Sequence, residues 1–207
     1  MEKKIPFATR ERYPEYLRAL RYFQNKGMEK IMSNDLAREL GINSTSVRRD
    51  ISYLGHMGRQ GYGYDIKKLI EELKKELGDG KDTGIVLVGV GNMGKALLKY
   101  NTFSFQVGTI VCGFDVDPNN IGVIENVPIY HYKDIQTKFP KGVKMAILAI
   151  PGNIAQSVAD DLMALGVTAI INFSDGVLKT RRKVIVESVD LATIVQEIIY
   201  KFKQVNN

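Results

Sequence analysis

The chain has 207 residues, 44% of them hydrophobic, and a formal net charge of +6. That length allows one large domain or two small ones with a real core, and no apolar run approaches the roughly 20 residues of a membrane helix. The single cysteine, Cys112, excludes an intrachain disulfide and a cysteine-built zinc cluster.

Residues 1–6 carry lysines with no apolar stretch behind them, so no signal peptide is expected and the cytoplasm is the natural compartment. The charge is unevenly spread. Residues 1–68 hold 14 Lys+Arg against 8 Asp+Glu, whereas residues 69–207 hold 15 of each. An excess confined to the first third raises the capture of polyanions, although a merely solvated basic face would give the same count.

Residues 9–26 bring Tyr13, Tyr16, Leu17, Leu20 and Phe23 to one helical face, with Pro14 near the start and Gly27 at the end. Ser33 is the expected N-cap of a helix over residues 34–40, with Leu36, Ala37 and Leu40 inward. Gly41 makes the turn. Asn43 or Ser44 caps a third helix reaching about Leu54, whose stripe is Val47, Ile51 and Leu54. The spacing matches a helix-turn-helix: small Ala37 for close crossing, Gly41 for a left-handed turn, branched Val47 as a pin. Burying that stripe turns Ser44, Thr45, Ser46, Arg48, Arg49 and Ser52 outward, the hydroxyls and guanidinium groups that phosphates and base edges require. An ordinary helical hairpin can carry the same spacing.

Residues 55–65 contain four glycines within nine positions and end in alternating tyrosines, Tyr62 and Tyr64. They read as a β-hairpin, the wing of a winged helix, packed by those tyrosines. Arg59 and Gln60 at its tip suit a minor groove; the plain alternative is a flexible linker. An amphipathic helix over residues 66–77 follows (Ile66, Leu69, Ile70, Leu73, Leu77), then a glycine-rich linker over residues 78–84.

The run from Ile85 to Leu98 is the most specific stretch of the chain. A buried strand enters Gly89-Val90-Gly91-Asn92-Met93-Gly94, the G-x-G-x-x-G spacing, and a helix pattern follows. Such glycines permit a tight turn and close approach of backbone to a pyrophosphate, with helix N–H groups facing its charge. Beyond it, strands are expected at residues 110–114, 129–130, 145–150, 169–172 and 184–186, with a helix at 154–165, giving a parallel sheet. Asp115 falls 21 residues after Gly94 at the end of the second strand, where a carboxylate meets the adenosine ribose 2′-hydroxyl and disfavours a 2′-phosphate. NAD(H) is therefore expected over NADP(H). The only histidines, His56 and His131, form no catalytic constellation with neighbours, Cys112 sits on a strand as core packing, and neither catalytic residues nor a metal site are expected.

From about Ile5 to Phe202 the chain resembles the Rex family of redox-sensing transcriptional repressors. The residues that carry the resemblance are Val47-Arg48-Arg49-Asp50-Ile51-Ser52-Tyr53-Leu54-Gly55, Gly61-Tyr62-Gly63-Tyr64, the glycine loop, Phe114-Asp115-Val116-Asp117-Pro118 and Ile170-Ile171-Asn172-Phe173. It implies an N-terminal winged helix (residues 1–80), a Rossmann-like parallel sheet domain (81–189) and a C-terminal domain-swapped helix (190–207) in a homodimer. It also implies binding of palindromic operator DNA, release when NADH replaces NAD+, and an interdomain switch formed by Arg18, Tyr100 and Asp190. Tyr53 joins the candidate DNA contacts, and Pro151 and Phe173, after parallel strands, join the glycine loop and Asp115 as candidate cofactor contacts. Some members carry arginine where this chain has Asn92. Two rivals remain: a small NAD-dependent oxidoreductase with a basic head, and a CoA-binding regulator.

Overall fold

The computed structural model describes residues 5–55, 58–59, 62–78, 83–103, 108–180 and 183–205. The chain divides into two compact units, Met1–Asp79 and Gly80–Asn207.

In the first unit, α1 (Phe7–Asn25), α2 (Ser33–Leu40), α3 (Ser44–Ser52) and α4 (Ile66–Leu77) enclose one core. Tyr13, Tyr16, Leu17 and Leu20 of α1 meet Leu36, Val47, Ile51, Leu69 and Leu73 there. Because α1 begins at Phe7, Pro14 lies in its interior rather than near its start. It removes one rung of the backbone ladder and stands on the exposed side of the helix. Ser33 is not the cap of α2; Met32 holds the N-cap position with no side-chain hydrogen bond. Gly41 makes the α2–α3 turn at φ 66°, and the Asn43 carboxamide caps α3 by accepting from the Ser46 N–H at 2.7 Å. The α3 helix stops at Ser52, and Leu54 is only half-buried.

The wing is a three-stranded antiparallel sheet, ordered β1 (Lys30–Ile31), β3 (Gly63–Asp65), β2 (Gly58–Arg59). The β1 strand is too short for periodicity to reveal. Tyr64 packs on the core as expected, but Tyr62 is 71% exposed and is not part of that core. Leu77, expected inward, is exposed at the end of α4, where the helix runs out past the core.

The second unit is a seven-stranded sheet in the order β10-β9-β8-β4-β5-β7-β6. Its strands are β4 (Gly84–Val88), β5 (Thr109–Asp115), β6 (Gly122–Ile124), β7 (Val127–His131), β8 (Met145–Leu148), β9 (Ala169–Asn172) and β10 (Ile185–Ser188). All pairs are parallel except the edge hairpin β6–β7, which the sequence pattern does not reveal. The helices are α5 (Asn92–Phe103), α6 (Ile135–Lys138), α7 (Gly152–Ala164) and α8 (Leu191–Val205). Strand β8 is shorter than expected and α7 starts earlier, with Pro151 as its N-cap residue. The chain passes from β4 to β5 on one side and returns to β8 on the other, so β4 marks the switch point where ligands of open α/β sheets bind. Cys112 is buried in the sheet, and burial pushes its thiol up to about 12, which keeps it protonated and inert.

Candidate functional site

Two surfaces carry the candidate residues. On α3, Thr45, Arg48, Arg49 and Ser52 are exposed as expected, while Ser44, Ser46 and Tyr53 are half-buried, being closer to the core edge. Arg48 Nη2 donates to Thr45 Oγ1 at 3.3 Å, and the Ser52 hydroxyl donates to the Arg49 carbonyl at 2.7 Å. The hydroxyls of the helix are thus partly engaged with its own guanidinium and backbone. Arg59 belongs to β2, and its side chain, like all of Gln60, lies outside the described residues.

Beneath this face is a group the sequence reading missed. Asp50 is fully buried, and its carboxylate takes a two-pronged contact from Arg12, Nε to Oδ2 at 2.7 Å and Nη2 to Oδ1 at 2.9 Å. Thr9 and Tyr16 hydroxyls donate to the same carboxylate, each at 2.9 Å, and Tyr13 donates to the Asp50 carbonyl at 3.1 Å. Burial pushes the Asp50 pKa up, but the hydrogen bonds from Arg12, Thr9 and Tyr16 outweigh it and hold the carboxyl below its ordinary value. Burial and the bond to Asp50 raise the Tyr16 phenol, and burial raises Tyr13 to about 12. The missed signal was position: Asp50 stands three residues after Val47, on the inward stripe, where a carboxylate requires a cation.

The second surface is the carboxyl edge of the large sheet. Gly89 has φ 93°, and a Cβ there would strike the Ala149 carbonyl and Ile150. A Cβ on Gly94 would be driven into the Gly89 carbonyl oxygen, so α5 can lie against its strand only without a side chain there. Around Gly91 nothing lies within 4 Å of a Cβ, so the space above this backbone is open. The helix ladder of α5 begins with Lys95 N–H to the Gly91 carbonyl at 2.9 Å, leaving the N–H groups of Asn92, Met93 and Gly94 without acceptors in the helix. The three glycines thus divide the work as turn, approach and packing, which fits a pyrophosphate. Val90 is different. It is buried, and its N–H donates to Asp115 Oδ2, so it shapes the loop and offers no donor to a ligand.

Asp115 is nearly buried, and its other oxygen accepts the Asp117 N–H at 2.7 Å. It lines a cavity of about 430 Å³ with Gly89, Gly91, Val116, Asn120, Tyr132 and the Ile150–Pro151 turn. This volume is in the range of small-molecule sites. Phe173 does not line it: it is partly buried against the cluster that contains Leu87, Leu98 and Ile147, on the opposite face of the sheet from Val88, Phe114 and Val158, which do line it. A larger hollow of about 660 Å³ opens at the amino ends of the strands, near Thr83, Thr109, Lys141 and Thr168. It lies at the wrong end of the sheet for the glycine loop and the helix N-termini.

The switch candidates are separate in sequence and exposed: Arg18 on α1, Tyr100 on α5, and Asp190 before α8. Asp190 caps α8, accepting from Ala192 N–H at 2.9 Å and the Thr193 hydroxyl at 2.7 Å; these bonds, Thr193 first, lower its pKa. No described residue of α8 is buried, including Leu191, Ile194, Val195, Ile198, Ile199 and Phe202. Among the described residues no group of His, Cys, Asp and Glu is arranged to hold a metal, and no helix is long and apolar enough to cross a membrane.

Residues 80–176 match the CoA binding domain model, and residues 4–52 match the model described as "Putative DNA-binding protein N-terminus". Curated relatives named redox-sensing transcriptional repressor Rex include one from Listeria welshimeri, 38% identical over 95% of this chain and 93% of its own. Another, from Anoxybacillus flavithermus, is 36% identical over 100% and 98%; a third, from Lactobacillus gasseri, is 40% identical over 96% and 94%. This chain belongs to the Rex family. Solved structures agree with that placement. RSP, a Rex-family repressor, in complex with β-NAD+ and operator DNA matches with a TM-score of 0.85 at 29% identity, covering 99% of this chain and 95% of that one. RSP with β-NADH matches at 0.84 and 27%, covering 99% and 97%. The Rex fold explains why the chain pairs a winged helix with a Rossmann-like sheet.

Proposed function

We propose that this chain represses transcription by holding a palindromic operator and releases it when NADH displaces NAD+. The observation that carries the reading is the open backbone at Gly91, framed by the closed approaches at Gly89 and Gly94, in the same chain as the outward arginines of α3. In a homodimer, two α3 helices enter successive major-groove half-sites about one or more helical turns apart. Arg48 and Arg49 read bases or phosphates, the hydroxyls of Ser44, Thr45, Ser46, Ser52 and Tyr53 contact the backbone, and Arg59 and Gln60 reach the minor groove.

Asn92, Met93 and Gly94 cradle the pyrophosphate and Asp115 receives the adenosine ribose. The adenosine half fills the cavity beside Asp115, and the dinucleotide crosses the sheet edge between Gly91 and Pro151 toward the Phe173 face. Bound, the reduced ring is neutral while the oxidised ring is a flat cation, and an apolar setting of Pro151 and Phe173 penalises the cation. The apolar face of α8 is covered by a second copy of the chain, and Arg18, Tyr100 and Asp190 exchange hydrogen bonds as the dimer closes. NADH shifts the equilibrium only if it binds the closed dimer more tightly. We place the protein in the cytoplasm and assign it no catalytic role: the acids that line the cavity, Asp115 and Tyr132, are both engaged in hydrogen bonds within the protein.

DNA retention titrated with NADH at fixed NAD+ tests this directly. Operator release is expected, and unchanged retention overturns it. The match to a CoA binding domain supports a second reading with CoA as effector. CoA shares the ADP half, but its 3′-phosphate would sit beside the Asp115 carboxylate, and a fluorescence titration with NADH against CoA separates the two.

A further inference from the structure

The cavity beside Asp115 is lined by four polar side chains, and three of them have protein partners. Asp115 accepts from the N–H groups of Val90 and Asp117. The Tyr132 hydroxyl donates to Asp161 Oδ2 at 2.8 Å, reaching across to α7, and burial followed by this bond raises the phenol's pKa. The Ser157 hydroxyl donates to the Ile154 carbonyl at 2.9 Å. The fourth is Asn120, 7% exposed, at the end of the short 3₁₀ turn Pro118–Asn120 that follows β5. Its backbone N–H donates to the Asp117 carbonyl, but its side chain makes no hydrogen bond among the described residues. Nor is its carboxamide sealed away, because no buried side-chain nitrogen or oxygen among those residues lacks both a partner and access. It opens on the cavity.

A carboxamide that opens only on the cavity has water for a partner until a ligand with matching groups replaces it. The rest of the lining fits a flat heterocycle: Val116, Ile150, Ile154 and Val158 supply apolar walls. A carboxamide offers a donor and an acceptor side by side. Adenine offers the complement, its 6-amino group next to a ring nitrogen, and the same pairing lets asparagine read adenine in DNA.

We propose that Asn120 is the residue that reads the base of the effector, pairing with the 6-amino edge of adenine and so selecting an adenine nucleotide. This rests on the reading that the cavity takes the adenosine half of NADH. Asn120 lies five residues after Asp115, at the end of the turn that leaves the same strand, so sugar and base recognition would share one short segment.

Three ligands test it by fluorescence titration of the full-length protein: NADH, its analogue with unsubstituted purine in place of adenine, and reduced nicotinamide mononucleotide. The native protein should prefer NADH over the purine analogue by about tenfold. Asn120→Leu should erase that preference while leaving affinity for the mononucleotide unchanged, and Asn120→Asp, which keeps the acceptor alone, should fall between. Equal affinity of the native protein for the two dinucleotides overturns the proposal without any variant, as does a preference that survives in Asn120→Leu. Failure of the native protein to bind NADH at all overturns the dinucleotide reading itself and this assignment with it. Binding of NADH with no purine discrimination removes only the role of Asn120.

Discussion

The two units solve the placement of a functional backbone in opposite ways. The first fixes α3 by filling: a carboxylate from α3 is buried and satisfied by a guanidinium and two hydroxyls from α1. The second fixes its glycine loop by omission, since side chains at Gly89 and Gly94 would collide with backbone and the space above Gly91 stays clear. A surface that must meet a rigid duplex is held by directional bonds. One that must admit a ligand is defined by where atoms are missing.

Removing Asp50 should produce the largest loss. Asp50→Ala leaves Arg12, Thr9 and Tyr16 without their shared acceptor and should cost about 3–4 kcal/mol, read by thermal unfolding. If the variant unfolds like the native chain, the filled anchor is not what holds α3. On the other side, Gly94→Ala should cost about 3 kcal/mol through overpacking, whereas Gly91→Ala should leave the melting temperature in place and weaken NADH by on the order of tenfold. That pair breaks the idea of placement by omission if both variants melt alike. Arg48→Ala and Arg49→Ala should leave stability unaltered and cost about 1–3 kcal/mol in operator binding. A base contact shows loss at one operator position, and a phosphate contact shows uniform loss with a shallower salt dependence in gel-shift titrations. The smallest effect is in pH. Asp50 has a lowered pKa, so its contribution is complete above the ordinary carboxyl range near 4 and disappears as pH falls through the folded value. The native chain should therefore lose melting temperature below about pH 4 more steeply than Asp50→Asn.

Much of this was legible in the sequence, for physical reasons. The strand–glycine–helix run of residues 85–98 and the acid at Asp115 obey spacing set by the backbone's approach to a phosphate, and such spacing survives in one dimension. The α3 stripe at Val47 and Ile51 declared itself by period. What escaped was either too short or too distant. Strand β1 has two residues, and β6 three, so neither shows alternation. The Arg12–Asp50 bridge joins residues 38 apart, and nothing at Arg12 alone distinguishes it from the other basic residues of α1. Nothing in the sequence around Asn120 marks it, because Tyr132, Ile154 and Ser157, which line the cavity with it, come from other elements. Phe173 follows strand β9, but it is partly buried on the face of the sheet away from the cavity, which its position in the chain does not disclose.

The uncovered α8 has a consequence for the life of the protein in a cell. The single chain displays a helix studded with leucine, isoleucine, valine and phenylalanine, the kind of patch by which chaperones and proteases sort unfinished chains. On the proposed pairing, a copy left without a mate would be the form most open to such sorting, so the abundance of the regulator would follow its own rate of assembly.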